Sequence, residues 1–147
     1  MAVPPPLIFL GTLVIGVILN IVRPLPIFTD GRMGDVMGLL AALASASVAF
    51  WAFRTMLRAG ERPDPGAPTR KVIKEGPFAR TRNPIYLSFA LFDLGVALLL
   101  NNLWILLALV PLMLYVDRGI VRREERSLEQ QFGQEYMDYK ASVRRWI

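Results

Sequence analysis

The apolar residues of this chain come in long blocks, and its charges lie between the blocks. The first block, residues 7–22, reads LIFLGTLVIGVILNIV; the second runs over residues 36–57; the third, residues 84–121, is apolar for more than thirty positions. A helix that crosses a bilayer needs about 20 apolar residues. The third block is therefore too long for one crossing and is read as two helices, 84–100 and 103–121, turning at Asn101-Asn102. Such a pattern predicts an all-α integral membrane protein with about four transmembrane helices. The third and fourth form a tight helical hairpin, and a C-terminal amphipathic helix on the cytosolic side follows at 122–142. The whole of 1–147 is read as a single membrane domain, with residues 58–83 as a cytosolic loop. Composition agrees: 54% of the 147 residues are hydrophobic and mean hydropathy is +0.40, against about 45–50% apolar in soluble domains.

Local signals set the expected boundaries. Residues before the first block carry no Lys or Arg, and no small-residue cleavage site follows it, so it is read as a span rather than a secretory signal. Pro24 and Pro26 end that helix, since proline cannot continue one. The second block carries Gly38, Ala41, Ala42, Ala44, Ser45, Ala46 and Ser47. Small residues allow close approach of membrane helices, so this helix is expected to pack centrally. The 58–83 stretch contains Pro63, Pro65, Gly66, Pro68, Gly76 and Pro77, too much punctuation for a long helix.

Charge placement orients the chain. Residues 58–83 and the tail from Asp117 each contain seven Lys/Arg, whereas residues 23–35 hold only Arg23 and Arg32 and the Asn101-Asn102 turn none. With four spans, both basic segments fall on one side, which the positive-inside rule makes cytosolic together with both termini. A bacterial inner membrane is the expected location. Net charge is +5, but it flanks membrane blocks, so it is read as meeting anionic lipid and not nucleic acid.

The chemistry available is narrow. There is no cysteine and no histidine, which excludes disulfides, thiolate or imidazole metal sites, Cys nucleophiles and His-based triads. No metal site is expected. Two polar segments stand out: residues 71–87, KVIKEGPFARTRNPIYL, and residues 122–139, RREERSLEQQFGQEYMDY. The predicted hairpin returns the chain to the side it left, so the start of the third span meets the end of the fourth. Both segments then converge at one mouth, where polar groups border an apolar wall and suit a polar cofactor with a lipophilic substrate. Leu128, Phe132, Tyr136 and Tyr139 recur at helical spacing. They form an apolar face that either lies on the membrane or covers the protein's own site, bent near Gly133. The terminal Arg144-Arg145-Trp146-Ile147 suits an interfacial anchor.

These two segments resemble a known family. Gly76-Pro77-Phe78 with Arg82-Asn83-Pro84-Ile85-Tyr86 is similar to the G-x-(Y/F)-x-x-x-R-(H/N)-P-x-Y motif of the isoprenylcysteine carboxyl methyltransferase and phospholipid methyltransferase family. Glu124-Glu125, Leu128, Phe132-Gly133, Tyr136 and Tyr139 are similar to its C-terminal E-E-x-x-L-x-x-x-F-G-x-x-Y-x-x-Y. The resemblance covers the C-terminal half of the chain. It implies an S-adenosylmethionine (SAM)-dependent methyltransferase working on a membrane lipid or another lipophilic small-molecule acceptor. Carried over by position, Arg70, Lys71, Val72 and Ile73 line the adenosine part of the site, Gly76 is among the cofactor-binding residues, and Phe78 packs against the cofactor. Asn83, Pro84, Ile85 and Tyr86 form a wall, and Glu124 hydrogen-bonds the cofactor. Arg82, Arg118 and Glu124 are the expected catalytic residues, with Arg82 facing the methionyl carboxylate or a substrate anion.

Plainer readings stand beside these. Arg82-Asn83-Pro84 also suits a helix start with arginine at the headgroups, and Glu124-Glu125 a solvated pair on an exposed helix. A non-catalytic membrane assembly protein that keeps the fold is the alternative function. Two positions depart from the family pattern. Asn83 replaces the histidine of many members, which removes a histidine base. Ile120 stands where prenylcysteine enzymes carry a substrate arginine, with Arg118 or Arg122 as the nearest substitutes. Asp93, inside the third span, is either functional or bonded to a serine of the second.

Overall fold

The computed structural model describes residues 4–62 and 69–147; the predicted breakers Pro63, Pro65, Gly66 and Pro68 lie outside them. The described residues form helices and connecting turns: α1 (Pro5–Val22), α2 (Gly31–Arg58), a single 3₁₀ turn (Gly76–Ala79), α3 (Pro84–Leu99), α4 (Leu103–Tyr115), a π-helical segment (Val116–Val121), α5 (Arg122–Phe132) and α6 (Gln134–Ser142). Three helical stretches are long and apolar enough to cross a membrane: Pro5–Val22, Gly31–Arg58 and the continuous rod Leu103–Phe132. The fourth expected span, α3, is apolar but has 16 residues, about 24 Å at 1.5 Å per residue. Large apolar side chains such as Leu10, Ile18, Leu40, Phe50 and Val110 face outward. Lipid can cover such a surface and water cannot.

Each helix boundary has a local cause. Helix α1 begins at Pro5, two residues earlier than expected, because proline is tolerated in the first turn, where its missing N–H is not needed. Helix α2 begins at Gly31, five residues earlier, because the Asp30 carboxylate accepts from the Arg32 amide at 3.0 Å. Pro84 opens α3, and Asn102 caps α4 by accepting from the Trp104 amide at 3.0 Å. The expected break between span and C-terminal helix at 121–122 does not form. Helix α4 runs through the π segment straight into α5, so the rod of 30 residues is about 45 Å long. That exceeds a hydrocarbon core of about 30 Å, so the rod outreaches the membrane. The predicted bend at Gly133 is present: its φ of +54 is open to glycine, and the helix restarts there as α6.

The packing order is α2 on α3, with α1 and α3 each against α4. The small residues of α2 do bring it close to α3. A Cβ on Gly38 would lie 2.8 Å from the Leu99 amide nitrogen and 2.9 Å from the Gly95 carbonyl oxygen, so only glycine fits there. A compact core joins Phe9 of α1, Tyr86 of α3, and Leu112, Val116 and Val121 of the rod, with Trp146 packed on it.

The α3–α4 turn is tied to the α1–α2 connection. Asn101, at φ +48, accepts from the amides of Ile27 and Phe28 at 2.8 Å and donates to the Phe28 carbonyl at 2.9 Å. The Asn102 amide reaches the Gly16 carbonyl at 3.0 Å, and the Trp104 indole the Arg23 carbonyl at 2.8 Å. The two connections poor in Lys and Arg, residues 23–35 and the Asn101-Asn102 turn, therefore share one end of the bundle. Asp93 is buried in α3 with no hydrogen bond to Oδ2; Ser45 of α2, a serine of the kind expected to partner it, donates to the Ser88 carbonyl at 2.7 Å.

Candidate functional site

At the opposite end the start of α1, the end of α2, the 69–86 segment, the start of α3, and α5–α6 surround a cleft of about 710 Å³. That volume lies within the range of roughly 300–1,000 Å³ for small-molecule sites. Its lining combines apolar residues, among them Pro5, Pro6, Phe53, Met56, Ile85 and Phe89, with polar ones, among them Lys71, Arg82, Glu124 and Gln131. Both sequence motifs reach it, as the hairpin reading requires.

The motifs touch directly. The Tyr86 hydroxyl, one turn into α3, donates to Glu124 Oε1 at 2.6 Å at the base of α5. Glu124 lies just beyond Val121, the last residue of the apolar run, and opens onto the cleft. Crowding by the cleft walls raises its carboxyl above the ordinary glutamate value, and the hydrogen bond from Tyr86 pulls it part of the way back.

Its neighbour is placed quite differently. Glu125 is buried and receives the Arg145 guanidinium at two oxygens, Nε to Oε1 at 2.9 Å and Nη2 to Oε2 at 2.7 Å. The same guanidinium contacts Asp117 at 3.2 Å, and the Trp146 indole donates to Asp117 at 2.9 Å. These partners hold Arg145 firmly protonated, the hydrogen bonds to Glu125 contributing most. The expected interfacial anchor is thus a strap folded back on the protein. Its backbone also accepts: Arg144 from the Arg82 amide at 3.0 Å, and Arg145 from the Thr81 hydroxyl and the Asn83 side chain at 3.1 and 2.9 Å. Trp146 turns inward because Asp117 and the core are within its reach, a pairing across 29 positions that local sequence does not display.

Arg82 sits between these groups. Its side chain is 9% exposed and its Nη1 lies 3.1 Å from Glu125 Oε1. That ion pair lacks hydrogen-bond geometry, and both Nε and Nη1 are buried without a hydrogen-bond partner. Nη1 is thus ion-paired without a hydrogen bond and Nε has no partner, a costly arrangement for buried charged donors beside a cleft. Tyr136 and Tyr139, also lining the cleft, are buried; the Tyr139 hydroxyl donates to the Phe78 carbonyl at 2.7 Å. Burial raises both phenols, Glu125 raising Tyr136 further while Arg82 opposes it. The aromatic face of the C-terminal helices therefore covers the protein's own cleft.

Of the residues expected at the site, Lys71, Val72, Ile73, Phe78, Arg82, Asn83, Pro84, Ile85, Tyr86 and Glu124 line the cleft. Arg70, Gly76 and Arg118 do not. The Arg70 amide donates to Glu61 at 2.9 Å. Gly76, at φ +59, seats the loop on α2, where a Cβ would lie 2.5 Å from Thr55 Oγ1. Arg118 is exposed on the π segment. Sequence reasoning missed Phe53, Met56, Glu61 and the Arg145 strap, because none belongs to either motif.

Comparison with known proteins decides the family. The phospholipid methyltransferase family model matches residues 33–135. The chain belongs to that family. Matched residues cover the first motif, the hairpin and the second motif as far as Glu135, and most of the residues that line the cleft fall among them. An uncharacterized protein of Haemophilus influenzae (strain ATCC 51907 / DSM 11121 / KW20 / Rd) is 40% identical over 63 residues, which cover 43% of this phospholipid methyltransferase family member and 100% of the relative. No solved structure matches the chain.

Proposed function

We propose that this family member is a SAM-dependent methyltransferase that modifies a lipophilic acceptor at the membrane, with the cofactor held in the cleft between the two motifs. The observation that carries the reading is the pair of opposite charges at the cleft: the Glu124 carboxylate braced by Tyr86, and the Arg82 guanidinium, whose Nε and Nη1 make no hydrogen bond.

This donor set fits SAM. A carboxylate accepts from ribose hydroxyls or an ammonium through strong charge-assisted hydrogen bonds, and a guanidinium receives a carboxylate. Phe78 and Tyr86 offer aromatic surface to a cation. Residues 71–73, with Asn83, Pro84 and Ile85, supply the remaining walls. When bound, SAM supplies an electrophilic methyl group on a sulfonium. The chain's own work is to orient the reactants, exclude water and accept a proton where the acceptor carries one; Glu124 is the base within reach of the cleft.

The apolar residues in the cleft lining support access for the acceptor from the bilayer. A lipid headgroup fits better than a prenylcysteine carboxylate: Ile120 packs on the core and Arg118 stands outside the cleft. In this reading α3 is a fourth, short crossing, and the cleft and both termini face the cytosol of a bacterial inner membrane. Labelled-methyl transfer from SAM into a total lipid extract, with mass identification of the product, tests the reading. Transfer that disappears in Glu124→Ala is expected; SAM binding unchanged in that variant would remove Glu124 from the site.

A further inference from the structure

We propose that Arg145 is a positioning residue for Arg82: by taking both oxygens of Glu125, the C-terminal strap keeps the Arg82 guanidinium from hydrogen-bonding that carboxylate and leaves its hydrogen bonds for the anionic end of the ligand. The inference rests on the reading of Arg82 as the partner of the SAM carboxylate.

Glu125 is a buried carboxylate with two guanidinium groups beside it. Arg145 takes the better geometry, with two aligned N–H donors on separate oxygens, and this side-by-side pairing is the strongest arrangement open to the pair. Arg82 is left with a 3.1 Å contact that lacks hydrogen-bond geometry. Charge is balanced across the cluster: Arg82 and Arg145 face Glu125 and Asp117. The strap's backbone fixes the Arg82 main chain as well, through the bond from its amide to the Arg144 carbonyl. Removing the Arg145 side chain leaves a buried, uncompensated carboxylate next to Arg82. Such a charge takes the nearest cation, so Arg82 turns into Glu125 and is lost to the cleft.

The test compares calorimetric binding of SAM and decarboxylated SAM to the full-length protein in detergent. The wild type is expected to prefer SAM by roughly ten- to a hundredfold, the range for hydrogen bonds to charged groups. Arg145→Gln is expected to abolish that preference. In Arg145→Gln/Glu125→Gln the competing carboxylate is gone, so the preference returns to within about threefold of wild type, as expected for two coupled neighbours. Arg145→Lys, which retains the charge but not the two-pronged contact, gives an intermediate preference and serves if Arg145→Gln does not fold. A preference unchanged in Arg145→Gln, or in Arg145→Lys, overturns the inference while sparing the reading of Arg82. Loss without recovery in the double variant also overturns it, since the strap would then only hold the wall together. A wild type that binds both ligands equally overturns the reading of Arg82 and the inference with it.

Discussion

At the Asn101-Asn102 end of the bundle, side chains and backbone use one another up: both amide groups of Asn101 are bonded to the α1–α2 connection, and the buried Asn102 caps α4 while reaching Gly16. At the cleft end, Arg82 keeps two buried donors without hydrogen bonds and Glu124 opens onto a cavity. Both ends are polar structures set against an apolar bundle. The first satisfies its groups internally and gains rigidity; the second leaves groups unpaired, at a cost in stability that a ligand can offset. In the proposed reading, their difference separates the end that holds the fold from the end that binds.

Substitutions at the two ends should therefore separate binding from stability. The largest effect is expected for Glu124→Ala: methyl transfer falls more than about a hundredfold, as when a group needed in the transition state is removed. Because burial raises the Glu124 carboxyl, its ionised form is the disfavoured one in the fold. Its contribution to stability is present at low pH and fades as pH rises through the raised value. Glu124→Gln should accordingly leave the melting temperature unchanged or slightly higher at neutral pH while abolishing transfer. A large drop in melting temperature would make Glu124 a structural residue.

Next comes Gly38→Ala, where backbone atoms within 3 Å of the new Cβ cannot yield. A loss of roughly 1–3 kcal/mol is expected, the range for overpacking, read as a lower thermal midpoint in detergent. Asn102→Ala should cost about 2 kcal/mol, combining a lost cap and a lost buried hydrogen bond. The folded protein should bind SAM as before, and a change in affinity would break the division between the two ends. Smallest is Tyr86→Phe, expected to weaken SAM binding a few-fold, by about 1 kcal/mol for one hydrogen bond. Its signature is the pH profile. Binding needs ionised Glu124, so affinity falls on acidification, and removing the hydroxyl that lowers the Glu124 carboxyl should move that fall to higher pH. A midpoint that stays put would mean that the Tyr86–Glu124 bond does not govern the cleft.

Much of this division was legible in the residues. Block lengths and the Asn-Asn turn predicted the hairpin, and a hairpin alone brings residues 82–86 beside residue 124, as the Tyr86–Glu124 bond bears out. The all-helical fold follows from the same source, because a backbone in lipid must satisfy its own hydrogen bonds. Ten of the residues expected at the site from the resemblance do line the cleft. The resemblance singled out Glu124, but nothing in the local chemistry of the pair shows what separates it from Glu125. Adjacent on the chain and alike in chemistry, the two differ by a rotation of about 100° on the helix. That rotation turns one toward the cavity and the other into the Arg145 clamp. Nor could local sequence show that Arg145 and Trp146 turn back to Asp117 and Glu125, since that pairing depends on α6 being redirected at Gly133. Apolar length and helical period are properties of neighbouring residues, so the sequence by itself determined the helices and the end where chemistry collects. The partner of each charge is a contact between distant segments, and only the tertiary structure decided it.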